Sequence, residues 1–125
     1  IKRAHRIRKL LGGGMRQAGL LAAAGTYALD NNIQRLAEDH KNAIKLAEGL
    51  SLIKGINVNL EKVNTNMVYA SFEQGTALKL RKHLASKNIY ISAYLGDDTV
   101  RLVTHLDCRE PEIDLFISEL KSFLN

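Results

Sequence analysis

The sequence predicts an α+β fold in which helices cover one face of a small, mostly antiparallel sheet. Several segments repeat apolar residues every three or four positions, as amphipathic helices do. Shorter segments alternate apolar and polar residues, as half-buried strands do. In order, these segments predict three helices, two strands, a helix, two strands and a last helix, without an internal repeat, which is typical of α+β domains.

The first three predicted helices differ in character. Residues 2–9 are polar and predict a helix that stops at a glycine turn, residues 12–14, and a second helix starts directly after that turn. Residues 18–25 of the second helix are nearly all small or apolar, which predicts burial on most sides. The third helix runs from Ile33 to Leu50, with His40 on its apolar side and Asp39 on its polar side.

The strands and the remaining helices come from the second half of the chain. Residues 56–61 and 67–72 predict two strands, and Thr76 can cap the helix that follows them. Residues 89–93 and 100–104 predict a hairpin whose turn is residues 96–98. The last helix begins near Pro111, because proline is best tolerated in the first turn of a helix.

Length and composition limit the class of protein. The chain has 125 residues, of which 46% are hydrophobic and 25% charged, so a disordered chain is excluded and one domain's core is expected. A single cysteine cannot form an internal disulfide, which favours a reduced, cytoplasmic setting. No membrane span is expected, because the longest apolar stretch, residues 18–29, is shorter than the ~20 residues that a bilayer requires. Because the chain begins at Ile1 within a charged run, we expect a piece of a longer protein.

Positive charge is concentrated at the beginning of the chain. Residues 1–29 hold six lysines and arginines and no acidic residue, whereas residues 30–125 hold twelve against thirteen acidic residues. Such an arm can bind nucleic acid through its phosphates, or it can be the solvated side of an ordinary helix. The ordinary helix is favoured, because no aromatic residues alternate with the charges to stack on bases. A non-enzymatic α+β module with a nucleic-acid-binding arm is the alternative function.

The glycine turn is a candidate anion site. A helix that starts at this turn would expose backbone N–H groups, with Lys9 just before them and Arg16 in the first turn of the helix. Residues 15 and 16, Met and Arg, exclude a Walker P-loop, which has Lys and then Ser or Thr at this place. A flexible turn without a ligand explains the same glycines, so both interpretations stay open.

Arg101 lies inside the predicted strand 100–104. Alternation places Arg101 on one face with Val103, whereas Leu102 and Thr104 belong to the other face. A buried guanidinium would need a carboxylate or phosphate partner, but an arginine on an edge strand can simply reach water. The pattern alone leaves both possibilities open.

The histidines and the cysteine do not form a metal-binding pattern. Only His105 and Cys108 are close in sequence, and they supply two of the four ligands of a structural zinc site, so no metal is predicted. Cys108 is interpreted as a partly buried thiol and His40 as a half-buried packing residue. His83 is interpreted as solvent-exposed.

Four strings of residues are distinctive. They are RKLLGGGMRQAG at residues 8–19, RLAEDH at 35–40, TNMV at 65–68 and RLVTH at 101–105. In this order they resemble the C-terminal part of the low-specificity L-threonine aldolases, and the resemblance covers nearly all of the chain.

The resemblance implies the C-terminal small domain of a fold-type I pyridoxal-phosphate (PLP) enzyme, usually a homotetramer. Such an enzyme cleaves L-threonine or L-allo-threonine to glycine and acetaldehyde. Residues 1–32 would be connecting helices with the glycine turn, at the active site and the subunit interface, and residues 33–125 the small domain. The lysine that binds the cofactor would lie upstream, so the resemblance implies no catalytic residue in this chain and no activity of the chain alone.

The resemblance also implies a role for three cationic residues. Arg101 matches the arginine that binds the α-carboxylate of the substrate, and Lys9 would reach the substrate. Arg16 would reach the cofactor phosphate, from a neighbouring subunit. His105 would have only a supporting role. The sequence departs from the family pattern near Arg109 and at residues 92–95.

Overall fold

The structure, a computed structural model, describes residues 1–91 and 98–124. Its helices and strands, in chain order, are α1 (Lys2–Leu10), α2 (Gly19–Asn31), α3 (Leu36–Ser51), β1 (Ile56–Val58), a short 3-10 helix (Leu60–Lys62), β2 (Met67–Phe72), α4 (Thr76–Ser86), β3 (Thr99–Val103) and α5 (Glu110–Leu124). The chain divides into two compact units, Ile1–Gln34 and Arg35–Asn125, which are described separately below.

In the first unit, the glycine turn ends α1. Gly12 has a positive φ of 86°, the left-handed conformation that glycine adopts at the end of many helices. The Gly13 N–H donates to the Arg8 carbonyl at 2.8 Å, and the Gly12 N–H donates to the Lys9 carbonyl at 3.3 Å. These two bonds form a Schellman motif, which satisfies the last carbonyls of α1. The predicted start of the second helix directly after the turn is wrong, since α2 begins only at Gly19.

The helix α2 is exposed along its whole length. None of its residues is buried, and the side chains of Leu20 and Leu29 are 81% and 68% exposed. The predicted burial on most sides is therefore wrong for this chain by itself, because the described residues do not cover the apolar surface of α2. Within residues 1–91 and 98–124, no helix is both long and apolar enough to cross a membrane.

The second unit is built on an antiparallel sheet, and its described strands are in the order β1-β2-β3. In the register of β2 and β3, Val68 pairs with Leu102 and Tyr69 pairs with Arg101. Because side chains alternate along a strand, one face of the sheet is buried. This helix-covered face consists of Ile56, Val68, Ala70, Phe72, Val100 and Leu102. The arrangement confirms the predicted α+β class.

Three helices cover this face of the sheet. The helix α3 packs against β1, β2 and α5, and α4 packs against α5. Leu50, Leu80 and Leu120, one from each helix, are completely buried. Gly49 permits a close approach of α3 and α5, since a Cβ there would overlap with the end of the Ile117 side chain.

The predicted burial of two neighbouring residues in α3 is reversed. Asp39 is 3% exposed, whereas His40, predicted on the apolar side, is exposed. Arg35 explains the difference, because its guanidinium donates two hydrogen bonds of 3.0 and 2.9 Å to the Asp39 carboxylate. A buried carboxylate is tolerated when it is paired and hydrogen-bonded in this way.

The predicted hairpin differs from the structure in part. Thr99–Val103 form β3, within one residue of the prediction, but residues 89–91 are not in a strand. Residues 92–93 of the predicted strand, and residues 96–97 of the predicted turn, lie outside the described residues. The strand Met67–Phe72 and the last helix, which begins at Glu110 beside Pro111, are confirmed.

Replacing Gly49 by alanine is expected to destabilise the protein. Alanine favours a helix by about 1 kcal/mol over glycine. Overpacking a filled core costs about 1–3 kcal/mol, however, and the new methyl group would also lie only 3.1 Å from Ile117 Cγ1. We therefore expect a lower Tm in thermal unfolding. In an Ile117→Val background, which lacks the overlapping Cδ1, the same substitution should be neutral or stabilising; an equal loss in both backgrounds would contradict the packing argument.

An exposed ion-pair cluster between α3 and α5 is expected to make stability depend on pH. Lys45 Nζ lies 2.8 Å from Glu110 Oε1 and 2.6 Å from Asp114 Oδ1. The hydrogen bonds that Lys45 donates to Asp114 and Glu110 raise the pKa of Lys45 above 10.5, and the bond that Glu110 accepts from Lys45 lowers the pKa of Glu110 below 4.5. A lowered carboxyl pKa contributes stability above its unfolded value and loses it as the pH falls through the folded value.

Replacing Lys45 by methionine should therefore lower the Tm slightly near neutral pH. The difference from the unsubstituted protein should shrink as the pH falls below 4.5 and Glu110 becomes protonated. Thermal unfolding at a series of pH values measures this, with Lys54→Met, a change at an exposed lysine, as the control. A difference that stays constant down to about pH 3 would show that the charge of the cluster does not matter.

Candidate functional site

Arg101 lies in the middle of β3 on the face of the sheet that no described helix covers. We call this the outer face; it consists of Met67, Tyr69, Ser71, Thr99, Arg101 and Val103. The side chain of Arg101 is exposed, as are those of Met67 and Val103, whereas Val100 and Leu102 beside it are buried. The predicted faces of the strand are therefore confirmed.

Tyr69 is the cross-strand neighbour of Arg101 on the outer face. The two residues are directly opposite in the register of β2 and β3, so their Cβ atoms are roughly 5 Å apart. The side chain of Tyr69 is 49% exposed. The next cross-strand pair on the outer face, two residues away in each strand, is Ser71 and Thr99, whose hydroxyl groups share a hydrogen bond of 2.9 Å. Tyr69 was not predicted as a site residue, although alternation along the two strands could have placed it beside Arg101.

Two cavities border the outer face. One, of about 410 Å³, is lined by Asn57, Lys62 and Tyr69, among others. The other, of about 660 Å³, lies along β3 where the outer face meets the helix-covered side, since it is lined by Arg101 and His105 and also by Leu102 and residues of α5. A cavity of this size is within the range of small-molecule sites, and a guanidinium at its border can bind a carboxylate or a phosphate with two parallel hydrogen bonds.

His105 and Cys108 lie at the same cavity. Cys108 Sγ is 3.6 Å from His105 Nε2, and the Asp107 N–H donates to His105 Nδ1 at 3.2 Å. Cys108 is partly buried, as predicted. Among residues 1–91 and 98–124, no group of three or more His, Cys, Asp or Glu side chains is arranged to hold a metal ion.

Lys9 and Arg16 lie in the first unit, and both are exposed. The Lys9 side chain runs across Gly14, where a Cβ would lie 2.6 Å from Lys9 Cδ and 2.7 Å from Nζ. Gly14 therefore leaves the space that this lysine occupies. Arg16 lies in the segment between α1 and α2, not in the first turn of a helix.

The anion site predicted at the start of a helix is not formed by the glycine turn. The N–H groups of Gly12 and Gly13 are already bonded to carbonyls of α1. The turn also meets the C-terminal end of α1, whose dipole favours cations rather than anions. The N–H groups of Gly12 and Gly13 are therefore not donors for an anion beside Lys9 and Arg16.

His83 lies between α4 and α5 and differs from its prediction. Its side chain is 28% exposed, and Nε2 is 3.4 Å from Glu119 Oε2. Its ring packs on Phe123 with the ring centroids 4.9 Å apart. The predicted solvent exposure of His83 is wrong, because the ring fills space between the two helices.

Asp98 holds the beginning of β3, whereas the sequence predicted it only as part of the turn 96–98. Its carboxylate accepts the N–H groups of Gly75 at 2.8 Å and Ala77 at 3.0 Å, so it caps α4. Its carbonyl accepts the Phe72 N–H at 3.1 Å. The predicted cap by Thr76 is wrong; the N-cap position is Gly75, and the acceptor comes from a distant part of the chain. No local pattern at residues 75–77 could have indicated this.

The family follows from a comparison of the sequence with known protein families. The sequence profile of the family described as "Beta-eliminating lyase" matches residues 1–73, more than half of the chain. The chain belongs to the beta-eliminating lyase family.

Individual relatives of this beta-eliminating lyase confirm the resemblance found in the sequence. The low-specificity L-threonine aldolase of Escherichia coli is 42% identical over 124 residues, which are 99% of this chain and 35% of that protein. Low-specificity L-threonine aldolase 1 of Arabidopsis thaliana is 46% identical over 108 residues, 84% of this chain and 30% of that protein. The chain thus spans about a third of the length of these relatives.

Solved structures confirm the fold of this beta-eliminating lyase. A structure described as a C-DES mutant, with glycine covalently linked to its PLP cofactor, is similar with a TM-score of 0.66. The match covers 83% of this chain and 28% of that chain at 19% identity, so it shows the fold alone. The predicted α+β fold is thereby confirmed.

Removal of the Asp98 carboxylate is expected to destabilise α4 and the start of β3. Asp98 has a φ of 55°, so Asp98→Gly keeps this conformation accessible but removes the cap. Loss of a cap costs about 0.5–2 kcal/mol, which should lower the midpoint of denaturant unfolding. Asp98→Asn is the matched control, since it tolerates the same φ and keeps one acceptor oxygen. Equal midpoints for all three proteins would show that the cap contributes nothing.

Proposed function

We propose that this beta-eliminating lyase chain is the C-terminal part of a PLP-dependent aldolase that cleaves L-threonine or L-allo-threonine to glycine and acetaldehyde. Identities of 42% and 46% to two low-specificity L-threonine aldolases support the reaction class. The observation that carries the proposal is the position of Arg101, an exposed residue of the outer face that also lines the 660 Å³ cavity.

Arg101 is proposed to bind the α-carboxylate of the amino-acid substrate. Its planar guanidinium presents two parallel N–H donors that match the two oxygens of a carboxylate. Because β3 is hydrogen-bonded to β2 on both sides of Arg101, the backbone that carries the guanidinium is held in place. A substrate bound by both carboxylate oxygens cannot rotate freely, so the bond to be broken is kept in one orientation.

Lys9 and Arg16 are proposed to contact the remaining anionic groups of the site. Lys9 would reach the substrate, and Arg16 would reach the phosphate of the cofactor, from a neighbouring subunit. The exposure of both side chains supports this assignment. The exposed apolar surface of α2 supports a subunit interface in residues 1–32 and a homotetramer, with residues 33–125 as the small domain.

The donor set of the chain fits a PLP enzyme whose cofactor is attached elsewhere. Guanidinium and ammonium groups match the phosphate of PLP and the carboxylate of an amino acid. When bound, PLP supplies an electron sink for the electrons released from the breaking Cα–Cβ bond. The lysine that attaches it is proposed to belong to the rest of the longer protein, so this chain binds and orients the substrate and is inactive alone. A cytoplasmic location is proposed, in keeping with its single cysteine.

Replacement of Arg101 by lysine in the full-length enzyme tests the proposal. Lysine keeps the charge but cannot bind both oxygens of a carboxylate in the same plane. Loss of one charge-assisted hydrogen bond should lower kcat/KM for L-threonine roughly 10- to 150-fold, measured by acetaldehyde release. Arg81→Lys, at an exposed arginine on α4, is the matched control and should leave kcat/KM unchanged.

An unchanged kcat/KM for Arg101→Lys would contradict the proposed role. The nucleic-acid-binding alternative makes a different prediction, since binding to DNA or RNA would weaken steeply with added salt. A titration with labelled nucleic acid at two salt concentrations distinguishes the two functions.

A further inference from the structure

We propose that Thr104 is a positioning residue that holds Arg101 where the substrate carboxylate binds. The inference rests on the proposed function, because it takes Arg101 as the carboxylate-binding residue. Thr104 directly follows β3 and is only 1% exposed, and alternation places its side chain on the helix-covered face, opposite to that of Arg101. It would act through the strand that it terminates.

Every polar group of Thr104 is engaged in a hydrogen bond. Its hydroxyl donates to the Asp39 carbonyl of α3 at 2.7 Å, in a buried position. Its backbone N–H donates to the Asn66 carbonyl at 2.9 Å, and its own carbonyl accepts Asn66 Nδ2 at 2.8 Å. These bonds extend the pairing of β2 and β3 by one position and tie its end to α3.

Asp39, the residue of α3 that accepts this hydrogen bond, is itself held in place. Asp39 is 3% exposed and is held by the two hydrogen bonds from Arg35. The helix α3 also packs on β1 and β2. The hydroxyl of Thr104 therefore connects the end of β3 to a part of the core that does not belong to the sheet.

Arg101 depends on this connection because it lies only three residues before Thr104 in the same extended segment. Three residues of a strand span about 10 Å, and a strand transmits a displacement of its end along its length. Among the described residues, β3 pairs with β2 alone. Asp98 attaches its beginning to α4, and the bond from Thr104 attaches its end to α3. A displacement of less than an ångström at a carboxylate-binding guanidinium weakens binding.

Two substitutions separate the hydroxyl from the shape of the side chain. Thr104→Val keeps the branched shape and removes the bond to Asp39, whereas Thr104→Ser keeps the hydroxyl and removes a methyl group. In the full-length enzyme we expect Thr104→Val to raise KM for L-threonine about threefold to tenfold, with kcat changed less than twofold. Thr104→Ser should restore KM to within about twofold of the unsubstituted enzyme.

The division between KM and kcat distinguishes positioning from stability. A purely structural loss lowers the fraction of folded enzyme, and therefore the apparent kcat, but the folded molecules keep their KM. Hydrogen exchange of the cofactor-free full-length protein gives a second readout. Thr104→Val should accelerate exchange of the β3 amides more than those of β1, and Thr104→Ser should not.

Three outcomes decide the inference. A raised KM for Thr104→Val that Thr104→Ser restores supports it, and an unchanged KM for Thr104→Val overturns it. If Arg101→Lys, measured in parallel, also leaves kcat/KM unchanged, the proposed function fails rather than the role of Thr104 alone.

If Thr104→Val does not fold, Asn66→Ala takes its place, since it removes the hydrogen bond to the Thr104 carbonyl. The same rise in KM is expected for Asn66→Ala, and an unchanged KM overturns the inference.

Discussion

The packing of helices on only one face of the sheet is the constraint on which the rest of the second unit depends. Helices α3, α4 and α5 enclose one face, and alternation along β3 assigns Val100 and Leu102 to that face. Arg101 must then belong to the outer face. An unpaired guanidinium under the helices would lose its hydration without compensation, so the register that buries the apolar residues also exposes the arginine.

The strand that carries Arg101 is fastened at both ends to helices. At its beginning, Asp98 caps α4 and accepts a backbone bond from Phe72. At its end, Thr104 bonds to α3 through Asp39. The same polar groups that satisfy buried or terminal backbone atoms therefore also set the position of the proposed carboxylate-binding residue. In this unit the stability of the core and the geometry of the candidate site are not separate properties.

Patterns that depend on neighbouring residues predicted much of this fold. The strand Met67–Phe72 agrees residue by residue, because a run rich in apolar and aromatic residues favours a strand. Features that depend on distant or unusual partners were not predictable. Asp39 is buried because of Arg35, and α4 is capped by Asp98 rather than by Thr76. The glycine turn ends α1, as predicted, but it does not start the next helix, since α2 begins only at Gly19.

The candidate site was predictable only in part. The face of Arg101 followed from alternation, but the roles of Lys9 and Arg16 came from the family resemblance and stay predictions. Apolar residues of α2, such as Leu20, form an exposed apolar surface. The sequence does not indicate which part of a longer protein, or which subunit, would pack against this surface. The comparison with relatives about three times as long is consistent with a site divided between this chain and residues outside it.

The most direct test of a divided site compares two proteins, the 125-residue chain and the same chain within its full-length protein. Each is mixed with PLP and L-threonine, and the visible absorption of bound cofactor and the release of acetaldehyde are measured. The account predicts that only the full-length protein binds the cofactor covalently and releases acetaldehyde. Acetaldehyde release by the 125-residue chain alone, or by neither protein although both are folded, would contradict it.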